Sequence, residues 1–119
     1  MSDTFGAPEI SVTDVAKKIQ EDETFVLLDV REMHELQMAK IDDERVVILP
    51  LSILSQELLD AIPDEIKEKD TEAVVFCHSG MRSAQVSGWL RQQGWTNVFN
   101  MIGGIDEYAV RVDSSVGRY

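Results

Sequence analysis

Cysteine is the scarcest reactive residue of this 119-residue chain, which holds one, Cys77. A single thiol excludes an intramolecular disulfide and a multi-cysteine zinc site, so Cys77 is either a small buried hydrophobe or a reactive group. Cations are also scarce, with 11 Lys and Arg against 22 Asp and Glu and a formal net charge of −11. No basic stripe is available to neutralise phosphates, which excludes nucleic-acid binding. Long apolar runs are missing as well. None approaches the roughly 20 residues that span a bilayer, and MSDTFGAPEI lacks the basic-then-apolar pattern of a secretory leader. The expectation is a cytoplasmic protein with no membrane segment.

What is present fits one ordinary globular domain. Apolar residues make up 44% and charged residues 28% of the chain, and nothing repeats. The length matches a single domain of roughly 100–150 residues, expected to be a monomer, over 10–119 behind a short flexible lead at 1–9. The charge is unevenly spread. Residues 1–72 hold nineteen carboxylates against seven cations, whereas Ala73 to Ile105 has no carboxylate at all. An anion can approach that second stretch, and the acidic first part would select a basic partner face.

Hydrophobic patterning alternates between two periods. Val12, Val15, Ala16 and Ile19 recur at helical spacing behind Thr13 as N-cap, predicting a helix over about 13–21. FVLLDV (25–30) and RVVIL (45–49) read as strands buried on both faces. Between them, 31–39 reads as a short polar helix. Ser52 opens a helix to about 60, and 63–69 is a weaker helical turn. AVVFC (73–77) is the strongest strand, followed by a helix over about 82–93 with Gly94 closing it. A short strand at 98–101 and a helix at 105–112 complete the chain. Strands alternating with helices predict an α/β fold with a parallel sheet covered on both faces. Ligands of such sheets bind at the carboxyl ends of strands, where Cys77 sits.

The segment Cys77-His78-Ser79-Gly80-Met81-Arg82-Ser83 therefore joins a buried strand to the first turn of a helix. Backbone N–H groups in a tight glycine-containing turn form an anion nest, and the helix start adds partial positive charge. Both favour an anionic sulfur. Arg82 adds a permanent charge and His78 a second one when protonated. Gly80 lets the backbone come close, and Met81 supplies an apolar rim. A cysteine that merely ends a core strand would leave Gly80 and Arg82 without a role.

This loop resembles the active-site loop of the rhodanese family of sulfurtransferases: a cysteine, a short loop with a central glycine, then Arg-Ser opening a helix. The likeness runs from about Ile10 to Tyr119 and takes in VLLDVRE, VVFCHSGMRSAQVSGWLRQQGW and NVFNMIGGIDEYA. It implies a three-layer fold with a central parallel sheet of about five strands. It also implies that Cys77 takes a sulfane sulfur as a persulfide, that the amides of His78 through Arg82 hold it, and that Arg82 attracts an anionic donor such as thiosulfate. Asp29 and Arg31 would brace the loop by ion pairing. The acceptor would be cyanide, a protein thiol or a sulfur carrier, the last because GGIDEYAVRVDSSVGRY is similar to the end of rhodanese domains fused to adenylylating enzymes. No metal or organic cofactor is implied. The chain departs from the family at 39–44, where AKIDDE replaces a Gly-His-Ile-Pro-Gly-Ala run.

Two rival readings remain open at this point. A cysteine phosphatase or arsenate reductase also combines a thiolate with an arginine, but its loop is C-x5-R and this one is C-x4-R. A non-catalytic rhodanese-like binding module usually lacks the cysteine. Of the other conspicuous residues, His34 and Glu35 lack further metal ligands at plausible spacing. His34 reads as solvated, Trp89 as core, Trp95 as a helix cap or edge shield, and Met33, Met38 and Met101 as packing residues.

Overall fold

The computed structural model describes residues 6–119. Its elements run β1 (Glu9–Ile10), α1 (Val12–Gln20), β2 (Val26–Asp29), β3 (Val46–Ile48), α2 (Leu51–Glu57), β4 (Ala73–Phe76), α3 (Met81–Gln92), β5 (Val98–Met101) and α4 (Gly104–Arg111). Short 3₁₀ turns at Met33–Gln37, Leu58–Ala61, Asp64–Ile66 and Ser114–Val116 join them. All strand pairs are parallel, in the order β1-β5-β4-β2-β3. The α/β fold and the five-stranded sheet expected from the sequence are those observed.

Strand alternation divides the core in two. Leu27, Val74, Phe76 and Met101 face α1 and α4 and pack with Val15, Ile105 and Tyr108. Leu28, Ala73, Val75 and Cys77 face α2 and α3 and pack with Leu54, Val86 and Leu90. Fully burying each Leu, Val or Phe side chain contributes about 1.5–3 kcal/mol, so both layers hold the sheet firmly. Cys77 follows β4 on the α3 side. From β2 the chain winds outward to β3 at one edge, and from β4 outward to β5, beyond which the first strand, β1, forms the other edge. The carboxyl ends of β2 and β4 therefore flank the crevice where strand order reverses, and they carry Asp29 and Cys77.

Several local expectations need correction. Ser11, not Thr13, caps α1, its hydroxyl accepting from the Asp14 N–H at 3.1 Å. The segment 45–49 is not buried on both faces, because β3 is an edge strand with Ile48 exposed. The polar helix at 31–39 is only a 3₁₀ turn, and Pro50 rather than Ser52 stands at the start of α2. The Ser52 N–H and hydroxyl instead donate to Glu32. Met33 and Met38 are exposed by 59% and 52%, so neither packs, whereas Met101 is fully buried. Trp89 is only half-buried, while Trp95 is core and donates its ring N–H to Ile66 O at 2.8 Å. Residues 1–5 of the expected lead lie outside the described residues. Further along it, Ala7 is buried, the Asn100 N–H donates to Pro8 O, and Glu9 is already in β1.

The Gly103-Gly104 turn fixes the loop after β4. The Ile105 N–H donates to Cys77 O at 2.9 Å and the Asp106 N–H to His78 O at 3.0 Å. That approach requires glycine at 104, whose φ is +61° and where a Cβ would lie 2.5 Å from His78 O and 2.6 Å from Cys77 O. Gly104→Ala is therefore expected to destabilise the fold by about 2 kcal/mol or more. A urea unfolding curve with a lowered midpoint and unchanged slope checks it; an unmoved midpoint contradicts it.

Candidate active site

Cys77 directly follows β4 and is buried to 1% exposure. Its Sγ accepts from the Gly80 N–H at 3.1 Å and from the Ser83 N–H at 3.4 Å. With its amide on the sulfur, Gly80 turns the chain into α3 at φ +109°, a conformation that side-chain-bearing residues rarely adopt. Ser83 lies in the first turn of α3, so its amide is one of the helix's unsatisfied donors and carries the positive end of the helix dipole. Two aligned N–H groups in a dry pocket favour negative charge on the sulfur.

A buried polar network holds this loop from behind. The Ser83 hydroxyl lies 3.4 Å from Sγ and donates to Asn100 Oδ1 at 2.6 Å. The Asn100 side-chain amide reaches Gly80 O at 3.4 Å. Asn100 comes from β5 and is 3% exposed, so its fully engaged side chain ties loop, helix and sheet together. The sequence offered a signal for it, a polar residue in the middle of the strand VFNM.

The second feature is a chain of alternating charges. Arg31, fully buried, donates to Asp29 through Nε at 3.0 Å and Nη2 at 2.8 Å. Its Nη1 reaches Ala39 O at 2.9 Å and the Tyr119 hydroxyl at 3.2 Å. Burial opposes the charge of Arg31, and the bonds to Asp29 and Tyr119 outweigh it, so its pKa is raised. Tyr119 in turn donates to Glu35 Oε1 at 2.9 Å and stacks on the His78 ring, with centroids 4.0 Å apart. Glu35 then takes both ends of the Arg82 guanidinium, at 2.7 and 2.8 Å. That fork raises the Arg82 pKa against the opposing effect of burial.

The loop residues singled out from the sequence thus meet at one place, with different individual positions. Cys77, Gly80 and Ser83 form the sulfur cradle. Ser79 and Met81 are exposed, Met81 by 62% at the rim, and His78 is half-buried beneath Tyr119. The amides hydrogen-bonded to the sulfur are those of Gly80 and Ser83, so the observed cradle extends one residue past the expected His78–Arg82 span. Arg82 points to Glu35. Asp29 and Arg31 reach the loop indirectly, through Tyr119 and Glu35. Among the described residues no group of three His, Cys, Asp or Glu side chains could hold a metal ion, and no helix is long and apolar enough to cross a membrane.

A rhodanese-like domain family model matches residues 11–111. The chain belongs to the rhodanese-like domain family. Over 115 residues it is 36% identical to the rhodanese-like/PpiC domain-containing protein 12, chloroplastic, of Arabidopsis thaliana, covering 93% of this chain and 37% of that protein. Over 101 residues it is 32% identical to a sulfurtransferase of Allochromatium vinosum, covering 85% of this chain and 87% of that one. The human single-domain sulfurtransferase TSTD1 superposes with a TM-score of 0.71 at 23% identity, covering 89% and 98% of the two chains, a likeness of fold. The chain spans about half or less of the length of the first curated relatives it matches. Within this rhodanese-like domain, Glu35, Asn100 and Tyr119 are the site residues that sequence reasoning missed.

The Glu35–Arg82 pair has a measurable pH signature. Arg82 holds the Glu35 carboxyl at about 2 against a usual 4.5, with burial opposing and the Glu32 N–H and Tyr119 assisting. A carboxyl depressed on folding contributes stability that is complete above its unfolded pKa and is lost as pH falls toward its folded one. Between pH 4.5 and 2 the wild type is therefore expected to lose more stability than Glu35→Gln. Urea midpoints at pH 6 and pH 3 check this, and parallel losses in the two proteins contradict it.

Proposed function

We propose that this rhodanese-like domain is a sulfurtransferase that carries a sulfane sulfur as a persulfide on Cys77. The observation that carries this reading is the cradle, two backbone N–H groups already aimed at a buried sulfur at the carboxyl end of a central strand. Donors fixed in place before the reaction stabilise developing charge without reorganisation. The Allochromatium vinosum relative, matched over most of both chains, supports the same class of activity.

In the proposed cycle the Cys77 thiolate attacks the outer sulfur of thiosulfate or a related donor. With thiosulfate, the S–S bond of the donor breaks, sulfite leaves with the bonding electron pair, and Cys77 becomes a persulfide anion. The loop amides from His78 to Ser83 hold that anion. An external acceptor then attacks the terminal sulfur and restores the thiolate; cyanide would leave as thiocyanate, and the thiol of a protein acceptor as its own persulfide. No second cysteine exists to resolve the intermediate internally, which is why the acceptor comes from outside. Ser83 occupies the place where a C-x5-R phosphatase loop has its arginine, and Arg82 is bound to a carboxylate, so no free guanidinium supports the phosphatase reading.

The test is intact mass after reduced protein meets thiosulfate and the excess is removed, with Cys77→Ser alongside. The wild type is expected to gain one sulfur atom and to lose it to cyanide or dithiothreitol, while the Ser variant gains none. A thiol that alkylates normally yet gains no sulfur from thiosulfate or from an organic persulfide overturns the reading.

A further inference from the structure

Three guanidiniums linked to the loop or its neighbours, Arg31, Arg82 and Arg118, each already have a carboxylate. Arg31 is held by Asp29, Arg82 by Glu35, and Arg118 by Asp106 at 2.8 and 3.2 Å. Arg82 is the cation closest in sequence to Cys77 on the helix side, and both of its terminal nitrogens are spent on Glu35. Glu35 is itself fixed three ways. Its Oε2 accepts from the Glu32 N–H at 2.8 Å, its Oε1 from Tyr119 at 2.9 Å, and both oxygens from Arg82. Two exposed apolar side chains stand beside the loop, Met81 and Ile102, exposed by 62% and 46% and next in the chain to Gly80 and Gly103, whose backbones approach closely.

We infer that Glu35 is a specificity-determining residue that masks the charge of Arg82 and so favours sulfane sulfur carried on an organic thiol over a free inorganic dianion. The inference rests on the persulfide reading of Cys77. A dianion such as thiosulfate must displace Glu35 from a two-pronged, charge-assisted fork before it gains a cation. It must also approach a carboxylate while doing so. An organic persulfide brings at most one charge, and its carbon arm suits the apolar side chains beside the loop. The step balances simply: the Cys77 thiolate attacks the outer sulfur of R–S–SH, the S–S bond breaks, Cys77 keeps the transferred SH, and R–S⁻ departs. Tyr119 acts as a positioning residue, because its hydroxyl links Glu35 to the buried Arg31 and fixes the carboxylate facing Arg82.

The experiment measures sulfur transfer to cyanide, read as thiocyanate, with thiosulfate and with glutathione persulfide as alternative donors. In Glu35→Gln the ratio of kcat/KM, persulfide over thiosulfate, is expected to fall about tenfold. The change should come from a lower KM for thiosulfate, and that KM should rise with ionic strength more steeply than in the wild type, because the freed guanidinium now binds the dianion. Tyr119→Phe removes only the hydroxyl and keeps the ring on His78, so it is expected to move the ratio in the same direction by about two- to threefold even if the Gln variant fails to fold. An unmoved ratio in these variants, or equal losses with both donors, overturns the inference while leaving the persulfide reading intact. Failure of both donors to load Cys77 in the wild type overturns both.

Discussion

The geometry of this site depends on one backbone conformation. Gly80 donates its N–H to Cys77 Sγ at 3.1 Å, and its φ of +109° carries the chain from that point into α3, where its carbonyl receives the Ala84 N–H. A Cβ at position 80 would also press within 3.2 Å of the Gly103 backbone nitrogen. Strand end, sulfur, helix start and the Gly103-Gly104 turn therefore close around one residue that cannot carry a side chain. The rest of the fold keeps that closure in place: the sheet supplies the buried strand, α3 supplies the Ser83 amide, and β5 supplies Asn100.

Around that cradle the protein arranges charge so that it is local and compensated. Five groups in line, Asp29, Arg31, Tyr119, Glu35 and Arg82, alternate acceptor and donor from the end of β2 to the start of α3. Removing one partner of the fully buried Arg31–Asp29 pair would leave an uncompensated charge, a loss of about 3–5 kcal/mol, and each guanidinium in the line is matched by a carboxylate. The sulfur is consequently served by amide dipoles from the loop and helix rather than by a free cation. This differs from the simplest reading of an arginine five residues after a cysteine, and it is what gives Glu35 a say in which donors fit.

Much of this was legible in the linear chain. The strands at 26–29, 73–76 and 98–101 carry strong β patterns, and parallel strands joined by helices leave few topologies. Cys77 with Gly80 and the following helix pointed to an anion-stabilising loop without any structure. Less legible were features that depend on distant contacts. Met33 and Met38 look like core residues by type, yet the 3₁₀ turn between β2 and β3 is too short to bury them. β3 reads as a buried strand by composition, and only the strand order reveals it as an edge. Tyr119 reaches Arg31 across 88 positions and Glu35 across 84, and no local pattern reports such a contact. Asn100, also missed, does leave a local trace as the lone amide of the strand VFNM.

The loop amides are positioned to hold a sulfur anion. The most direct measurement is a crystal structure of the protein after loading with a sulfane donor. The account predicts one extra sulfur bonded to Cys77 Sγ, seated inside the 78–83 loop with backbone N–H groups directed at it and Gly80 unmoved. A transferred sulfur that points out toward Met81 and solvent, or a loop that must open to admit it, would contradict the account.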